Sequence, residues 1–295
     1  MRCIRLIAGA ASLAYLAGLG CEAPRSPLGV SSSQAITPRG VSESQALAAR
    51  GGAMVRIPGG TFEMGSNDGD ADERPVHAVS VAPFALDQTE VTVQAYEECV
   101  AASACLEPSR YEVTQGNWQI FCNWRHPEGR ARHPINCVDW NGATTFCAWA
   151  GKRLPTEEEW EYAARRGNRK YPWGDDPPNE RLVNACGSEC VADGVAKGFP
   201  ARANVPWGSD DWPETAPVGS FPAGASLDGV QDLIGNVWEW TSSGYSSDYG
   251  KNRTNGARVF RGGYWSGSTT YLRASSRVRL DPTYRSGSLG FRCAR

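Results

Sequence analysis

Residues 154–166 read Leu-Pro-Thr-Glu-Glu-Glu-Trp-Glu-Tyr-Ala-Ala-Arg-Arg, and they carry the strongest local folding signal in the chain. Thr156 and Glu159 have the spacing of a capping box, in which each side chain bonds the other residue's backbone N–H where a helix begins. Acidic residues occupy the first turn and arginines the last, as the helix dipole favours. Gly167 then ends the pattern. The stretch predicts a helix whose Trp160 faces a core.

Shorter elements are predicted before this helix. Residues 54–57 and 61–64 are alternating apolar runs around Pro-Gly-Gly, a pattern that predicts a β-hairpin. A strand is predicted over 76–81, a helix capped by Thr92 up to about residue 100, and a helix over 143–150. The rest is rich in loops, consistent with 33 glycines and 19 prolines. The class predicted is α+β with much irregular structure.

The N-terminal residues 1–21 have the features of a targeting segment. Two arginines precede the apolar stretch 6–20, which is short for a membrane-spanning helix. Residues 16–21 resemble a lipobox, where bacterial prolipoproteins are lipidated on cysteine and cleaved, although Gly18 stands where leucine is usual. We therefore expect a lipoprotein signal peptide, lipidation of Cys21, and an exported protein anchored to a membrane of the bacterial cell envelope. The alternative is an ordinary signal peptide with an incidental cysteine.

Composition separates a tether from one folded unit. Residues 22–53 are rich in small and polar residues and nearly free of aromatic ones, so they predict a flexible linker. The folded domain is expected over residues 54–295, with no internal repeat. The whole chain has 30 Lys and Arg against 32 Asp and Glu. This balance gives no net field to attract nucleic acid, and we expect no nucleic-acid partner.

Eight cysteines lie beyond the targeting segment, and an even number in an exported chain predicts disulfides. The sequence leaves their connectivity open. The pairs we favour are Cys99 with Cys105, Cys122 with Cys137, Cys186 with Cys190, and Cys147 with Cys293. A soft-metal site at the Cys186 pair is less favoured because the compartment is expected to be oxidising and no histidine lies nearby.

A series of motifs in one order covers the folded unit. They are Ile57–Ser66, Glu90–Thr92, His133–Trp140, Gly151–Ala163, Tyr171–Gly174, Gly235–Trp240, Arg261–Gly263 and Leu289–Arg292. Together they resemble the formylglycine-generating enzyme family, also called sulfatase-modifying factors. The resemblance implies a C-type-lectin-like α+β domain with little regular secondary structure.

The resemblance fails at the redox centre. Family enzymes oxidise a sulfatase cysteine to formylglycine with copper(I), which two cysteines after a Gly-Gly turn bind. Aligned forwards from that turn, the two positions here are Gly267 and Leu272; aligned backwards from the C-terminal Gly-Phe-Arg, they are Tyr264 and Thr269. Copper(I) needs soft thiolate ligands, and none of these residues has sulfur. We expect no copper and no oxidase activity.

The resemblance also implies two structural calcium sites made of oxygen ligands, as a hard cation requires. The first would use Asp232, Glu239 and the carbonyls of Gly235 and Val237. The second would use Asn184, Asp210 and the carbonyls of Ala185 and Trp212. The first is favoured, because a glutamate between two tryptophans is difficult to explain as a solvated residue.

Aromatic residues suggest a ligand. Trp238, Tyr264 and Trp265 are expected to line the groove where family enzymes bind an extended peptide, and such a groove suits a peptide or a glycan. Three functions follow: a non-catalytic binding protein of the envelope, an active formylglycine-generating oxidase with a non-standard site, and a purely structural lipoprotein. We favour the first. Free thiols, bound copper and conversion of a Cys-x-Pro-x-Arg peptide would indicate the second.

Overall fold

The computed structural model describes residues 50–108, 120–125, 127–199, 204–249 and 256–295. The expected signal peptide, the lipidation site Cys21 and residues 22–49 of the expected linker lie outside the described residues. Within the described ranges, no helix has the length and apolar character needed to cross a membrane.

Eight short strands and five helices make up most of the regular structure described. The helices are α1 (Val93–Ala101), α2 (Pro127–Arg130), α3 (Trp140–Trp149), α4 (Glu157–Arg165) and α5 (Ser188–Ala196). The strands are β1 (Met54–Ile57), β2 (Gly60–Met64), β3 (His77–Val81), β4 (Phe84–Asp87), β5 (Trp238–Gly244), β6 (Arg258–Arg261), β7 (Arg277–Leu280) and β8 (Leu289–Gly290). The α+β class and the predominance of loops are as the sequence predicts.

Local capping signals fix where the helices begin. Thr92 accepts a hydrogen bond from the Ala95 backbone N–H at the start of α1. In α4 both bonds of the predicted capping box are present, between Thr156 and Glu159. These bonds satisfy N–H groups that have no partner inside the helix, and they account for the accuracy of the two predicted starts. Helix α5 was not predicted.

The predicted hairpin of β1 and β2 is wrong. β1 pairs antiparallel with β4, and β2 pairs antiparallel with β3. Between β1 and β2 the chain passes tightly against another segment: a Cβ added at Gly59 would lie 2.6 Å from the Pro83 nitrogen. Gly59 also has a φ of 73°, which glycine adopts at little cost. The turn therefore directs β2 towards β3 instead of back onto β1.

The four-stranded sheet has the order β7-β6-β5-β8 and two chemically different faces. Trp240, Phe260 and Val278 lie opposite one another on adjacent strands and form an apolar face. The next residue in register on each strand is charged: Glu239 pairs with Arg261, which pairs with Arg277. Because successive strand residues point to opposite faces, the charged set lies on the other side of the sheet.

The charged face is neutralised by helix α4. Arg261, fully buried, donates to Glu157 at 2.7 Å and to Glu161 at 2.8 Å. Arg277 donates to the same Glu157 at 2.7 Å. Glu157 and Glu161 are four residues apart, so both carboxylates project from one side of the helix. These ion pairs fix α4 against the charged face, while Trp240 and Phe260 on the apolar face pack in a core cluster that includes Phe146 of α3.

The structure contains the four favoured disulfides, Cys99–Cys105, Cys122–Cys137, Cys147–Cys293 and Cys186–Cys190. The Cys147–Cys293 bond connects α3 to the C-terminal segment across 146 positions. Near the N-terminal end of the described chain, two residues assigned to the linker also contact the domain. The Arg50 guanidinium lies 4.8 Å from the centre of the Trp149 ring, and Lys152 donates to the Gly51 carbonyl. Residues 50 and 51, which the sequence assigned to the linker, therefore pack against the folded domain.

Candidate binding site

Two adjoining cavities form what we call the aromatic groove, and the first of them lies against the apolar face of the four-stranded sheet. The first has a volume of about 210 Å³ and is lined by Trp238, Phe260, Tyr264, Tyr271, Val278, Leu280, Tyr284, Ser288 and Leu289. The second has a volume of about 190 Å³ and is lined by Phe121, Tyr264, Trp265, Ser266, Tyr284, Ser286, Gly287 and Ser288. Three residues, Tyr264, Tyr284 and Ser288, belong to both cavities.

The first cavity has a tryptophan floor and a tyrosine rim. The Trp238 ring, nearly buried, lies 5.9 Å from the Tyr264 ring at 29° and 5.7 Å from the Tyr271 ring at 68°. Tyr271 is 37% exposed and stands at the opening. Burial and the neighbouring Tyr271 raise the pKa of the Tyr264 phenol, so it stays neutral. The cavity presents ring faces without charge.

The second cavity is more polar. The Phe121 and Trp265 rings lie 5.2 Å apart at its base, and the Trp265 indole N–H donates to the Gly287 carbonyl at 3.3 Å. Three serine residues line it as well. The groove therefore combines an apolar subsite with one that offers hydroxyl and carbonyl groups.

The structure brings together all three aromatic residues that the sequence assigned to the groove. It adds Phe121, Tyr271 and Tyr284, which sequence reasoning missed. These residues lie in loops or a 3₁₀ turn outside the long helices and the strands, so no periodic pattern indicated which way they point.

The segment where family enzymes have their cysteine pair contains no sulfur here. Leu272 is fully buried in the core, and Tyr264 lines the groove. Gly267 packs against the ring of Tyr264, since a Cβ added there would lie 3.0 Å from it. All eight cysteines of the domain are in disulfides, so the described chain offers no thiolate. Within those ranges, no three His, Cys, Asp or Glu side chains are grouped to hold a metal ion.

The first calcium set contains a carboxylate that is already neutralised. Glu239 accepts from the Arg292 Nε and Nη2 atoms at 2.7 Å each, and from the Trp160 indole N–H at 2.8 Å. All three side chains are fully buried. Asp232 accepts from the Gly219 backbone N–H at 2.6 Å. Because Arg292 supplies the positive charge that a cation would bring, the set does not fit calcium as it stands.

Asp232 also forms a buried carboxyl pair with Glu90, a residue that sequence reasoning did not assign to the site. Burial, followed by the nearby charge of Asp232, raises the pKa of Glu90 well above its ordinary value. Burial also raises the pKa of Asp232 to about 6. The Glu90 Oε1 atom accepts a hydrogen bond from the Asn236 side-chain amide at 3.0 Å. The Glu90 Oε2 atom has no hydrogen-bond partner. Because Arg292 is already paired with Glu239, protonation is the favoured way to remove the charge that Glu90 and Asp232 would otherwise share.

The second calcium set fits a hard cation better. Asp210 is held in place by backbone N–H groups of Ala185, at 2.7 Å, and Trp212, at 2.9 Å. The Asn184 amide N–H donates to the Glu214 carbonyl, but its Oδ1 atom is buried with no partner. Burial is the main cause that raises the pKa of Asp210 to about 7, and the adjacent Glu189 carboxylate contributes. These oxygens suit calcium.

A family model, the sulfatase-modifying factor enzyme 1-like domain, matches residues 39–295. The chain belongs to this family. It is 36% identical to the formylglycine-generating enzyme of Streptomyces coelicolor, with 82% of this chain and 88% of the relative covered. It is also 34% identical to the inactive C-alpha-formylglycine-generating enzyme 2 of Bos taurus, over 82% of this chain and 87% of that protein. The family thus includes relatives described as enzymes and as inactive.

A solved structure supports the fold of this family member. PvdO from Pseudomonas aeruginosa superposes with a TM-score of 0.61 at 27% identity, covering 82% of this chain and 93% of that one. The fold is the C-type-lectin-like α+β fold of formylglycine-generating enzymes. In this family member, the aromatic groove borders the segment without cysteines, since Tyr264 belongs to both.

Proposed function

We propose that this chain is a non-catalytic member of the family that binds a ligand in its aromatic groove, an extended peptide being the ligand class favoured over a glycan. The observation that carries the proposal is the combination of a sulfur-free redox segment with a groove that is still open beside it. Hydroxyl and phenol oxygens cannot replace two thiolates for copper(I), whereas a groove needs only its shape and its rings to bind.

The lining of the groove favours a peptide. Trp238, Phe260 and Leu280 give the first cavity an apolar interior of a size that accepts a bulky side chain. Among the residues that the structure describes, neither cavity is lined by an Asp, Glu, Asn, Gln or Arg side chain, the planar polar groups that make paired hydrogen bonds to ligand hydroxyls. A glycan is the alternative outcome of the binding experiment below.

The proposal also places the protein in the bacterial cell envelope, exported and anchored to a membrane by a lipid on Cys21. Its support is the N-terminal pattern together with four disulfides, which form and persist in oxidising compartments. Calcium is proposed as a structural ligand at Asn184 and Asp210, where it would balance buried oxygen charge. Copper is not part of the proposal.

Truncating the groove rim should weaken ligand binding. Ligands would be selected from a phage-displayed peptide library and a glycan array on the full mature chain. We expect peptide ligands, and Tyr271→Ala should weaken them by at least about tenfold, since aromatic anchors dominate binding energy. Affinity would be measured by isothermal titration calorimetry. Leu227→Ala is the matched control, because Leu227 is 55% exposed and lines neither cavity. Equal affinities for the two variants, or no selected ligand, would contradict the proposal.

The alternative function is an active oxidase with a non-standard site. Its support is the 36% identity to a formylglycine-generating enzyme. It requires a redox centre built without the cysteine pair, and the structure offers no free thiol among the described residues to build one. This alternative and the binding function differ in copper retention and in peptide conversion.

A further inference from the structure

Strand β7 lies at an edge of the four-stranded sheet, whose order is β7-β6-β5-β8. It pairs on one side with β6, where Arg279 lies opposite Val259. The Val259 carbonyl accepts from the Thr241 hydroxyl of β5 at 2.8 Å, so the backbone groups of Val259 face β5. Because Val259 turns these groups away from β7, its antiparallel partner Arg279 turns its own to the outer side of β7. The N–H and C=O of Arg279 therefore point away from the sheet.

The outer side of β7 offers a second pair of backbone groups. Arg277 lies two residues before Arg279 on the same strand, so its N–H and C=O point to the same side. Among the residues that the structure describes, none forms a hydrogen bond with the backbone groups of either arginine from that side. Arg279 is exposed, and Val278 and Leu280 are half-buried. Such an edge is a template for one more strand.

The aromatic groove reaches this edge. The first cavity is lined by Val278 and Leu280 of β7, as well as by Phe260 of β6 and Trp238 of β5. Residues that lie side by side on adjacent strands point to the same face, so an added strand would direct every second side chain towards this apolar lining. The side chains between them would lie on the opposite face, beside Arg279.

The opposite face has one arginine available to a ligand. Arg277 is buried, and its guanidinium is bound by both oxygens of Glu157. Arg279 is exposed, and its guanidinium lies 4.3 Å from the centre of the Tyr245 ring. Within the described ranges, no Asp or Glu forms an ion pair with Arg279. An acidic side chain on the added strand would complement this charge, since opposite charges on neighbouring strands stabilise pairing.

We propose that an extended peptide binds this protein by adding a strand to the free edge of β7, with apolar side chains in the first cavity and acidic side chains beside Arg279 at alternate positions. This inference rests on the proposed binding function and specifies its ligand as a peptide in which apolar and acidic residues alternate. Hydrogen bonds to the backbone of Arg277 and Arg279 hold the main chain of the peptide, while the cavity selects its side chains.

The free edge is tested first in the protein without a ligand. The amide hydrogen of Arg279 should exchange at least about tenfold faster than that of Val278, because only the Val278 N–H faces β6 and is hydrogen-bonded there. Residue-resolved NMR measures both rates. Equal rates would overturn the proposal, since the outer side of β7 would then already be protected.

Binding is tested with two libraries of acetylated pentapeptides. The first has the pattern Glu-x-Glu-x-Glu, where x is apolar or aromatic, and the second has the same residues in blocks, Glu-Glu-Glu-x-x. We expect binders only in the alternating library, and the tightest should slow exchange at Arg279 by at least about tenfold. An alternating library without a binder would overturn the proposal.

Backbone N-methylation of the tightest peptide tests the strand pairing itself. Successive N–H groups of a strand point to opposite sides, so only every second one can bond β7. Methylation at one alternate set of positions should therefore weaken binding by about tenfold or more, and at the other set by much less. The set that is affected reports the direction of the added strand. Equal effects at both sets would overturn the proposal.

The charge of the edge is tested by Arg279→Gln. At low salt this variant should bind the peptide about threefold more weakly, and the difference should vanish when glutamine replaces each peptide glutamate. Arg56→Gln is the control, because Arg56 is an exposed arginine of β1, in another sheet, and its loss should leave affinity unchanged. Equal affinities for the two variants would contradict the role of Arg279.

Failure of this proposal is distinguishable from failure of the binding function. Peptides from the unbiased phage selection that lose affinity with Tyr271→Ala would support the groove as a binding site. If such peptides are found while the alternating library yields none, the groove binds its ligand without the edge of β7.

Discussion

Replacing Arg292 by methionine is expected to lower the free energy of unfolding by about 3–5 kcal/mol. The Arg292 guanidinium is fully buried and makes a two-point ion pair with Glu239. It also donates to the backbone carbonyls of Asp87, Gln88 and Gln231. Methionine keeps much of the volume but removes the charge. Glu239 would then be buried without a balancing cation. Its neighbours Glu90 and Asp232 already have pKa values raised by burial.

Arg153→Met is the control for this prediction. Arg153 makes a two-point ion pair with Glu159, at 2.6 Å for both contacts, but its side chain is 48% exposed. Water screens that pair, so its loss should cost about 1 kcal/mol or less. Unfolding free energies come from urea titration with the disulfides intact. If the Arg292 variant loses no more stability than the Arg153 variant, the guanidinium does not have the role assigned to it.

Removing the longest disulfide should have a similarly large effect. In the chain-entropy model, the Cys147–Cys293 bond, closing 146 positions, contributes about 5 kcal/mol, whereas Cys99–Cys105, closing 6, contributes about 2 kcal/mol. The long bond joins α3 to the segment that contains Arg292, and it therefore restricts about half of the unfolded chain. The double substitution Cys147→Ala with Cys293→Ala tests this value.

The matching double substitution at Cys99 and Cys105 is the comparison, and all four cysteines are nearly or fully buried. Urea titration of the two variants should show the long disulfide costing more than twice as much as the short one. Equal losses would mean that the cross-link acts through local packing and not through the unfolded chain.

Sequence reasoning succeeded where the determining interaction is local. The start of α4 depends on two residues three positions apart, Thr156 and Glu159, and the sequence displays both. The strands β1 and β2 were recognised for the same reason, since alternation lies within each strand. Their partners were not, because pairing is decided by contacts between distant segments. The turn at Gly59 passes against Pro83, and nothing in the local pattern indicates this.

The residues of the groove were predicted only in part, because some of them reach it through contacts between distant segments. Trp238 and Tyr264 were placed in the groove through motifs. Phe121 and Tyr271 were missed, because loops bring them there from other parts of the chain. Glu239 was expected to be buried, and it is fully buried; its ion-pair partner Arg292, 53 positions away, was not indicated by the sequence. Charge balance in a core is a property of the folded chain, and a sequence shows only its composition.

The most direct test of the central claim, a family fold without its copper chemistry, is a copper and turnover measurement. The protein is incubated with copper(I), oxygen and a Cys-x-Pro-x-Arg peptide, with the Streptomyces coelicolor formylglycine-generating enzyme in parallel as the positive control. Mass spectrometry counts metal after gel filtration and formylglycine in the peptide. The account predicts no retained copper and an unchanged peptide for this chain. Stoichiometric copper with conversion of the peptide would contradict it.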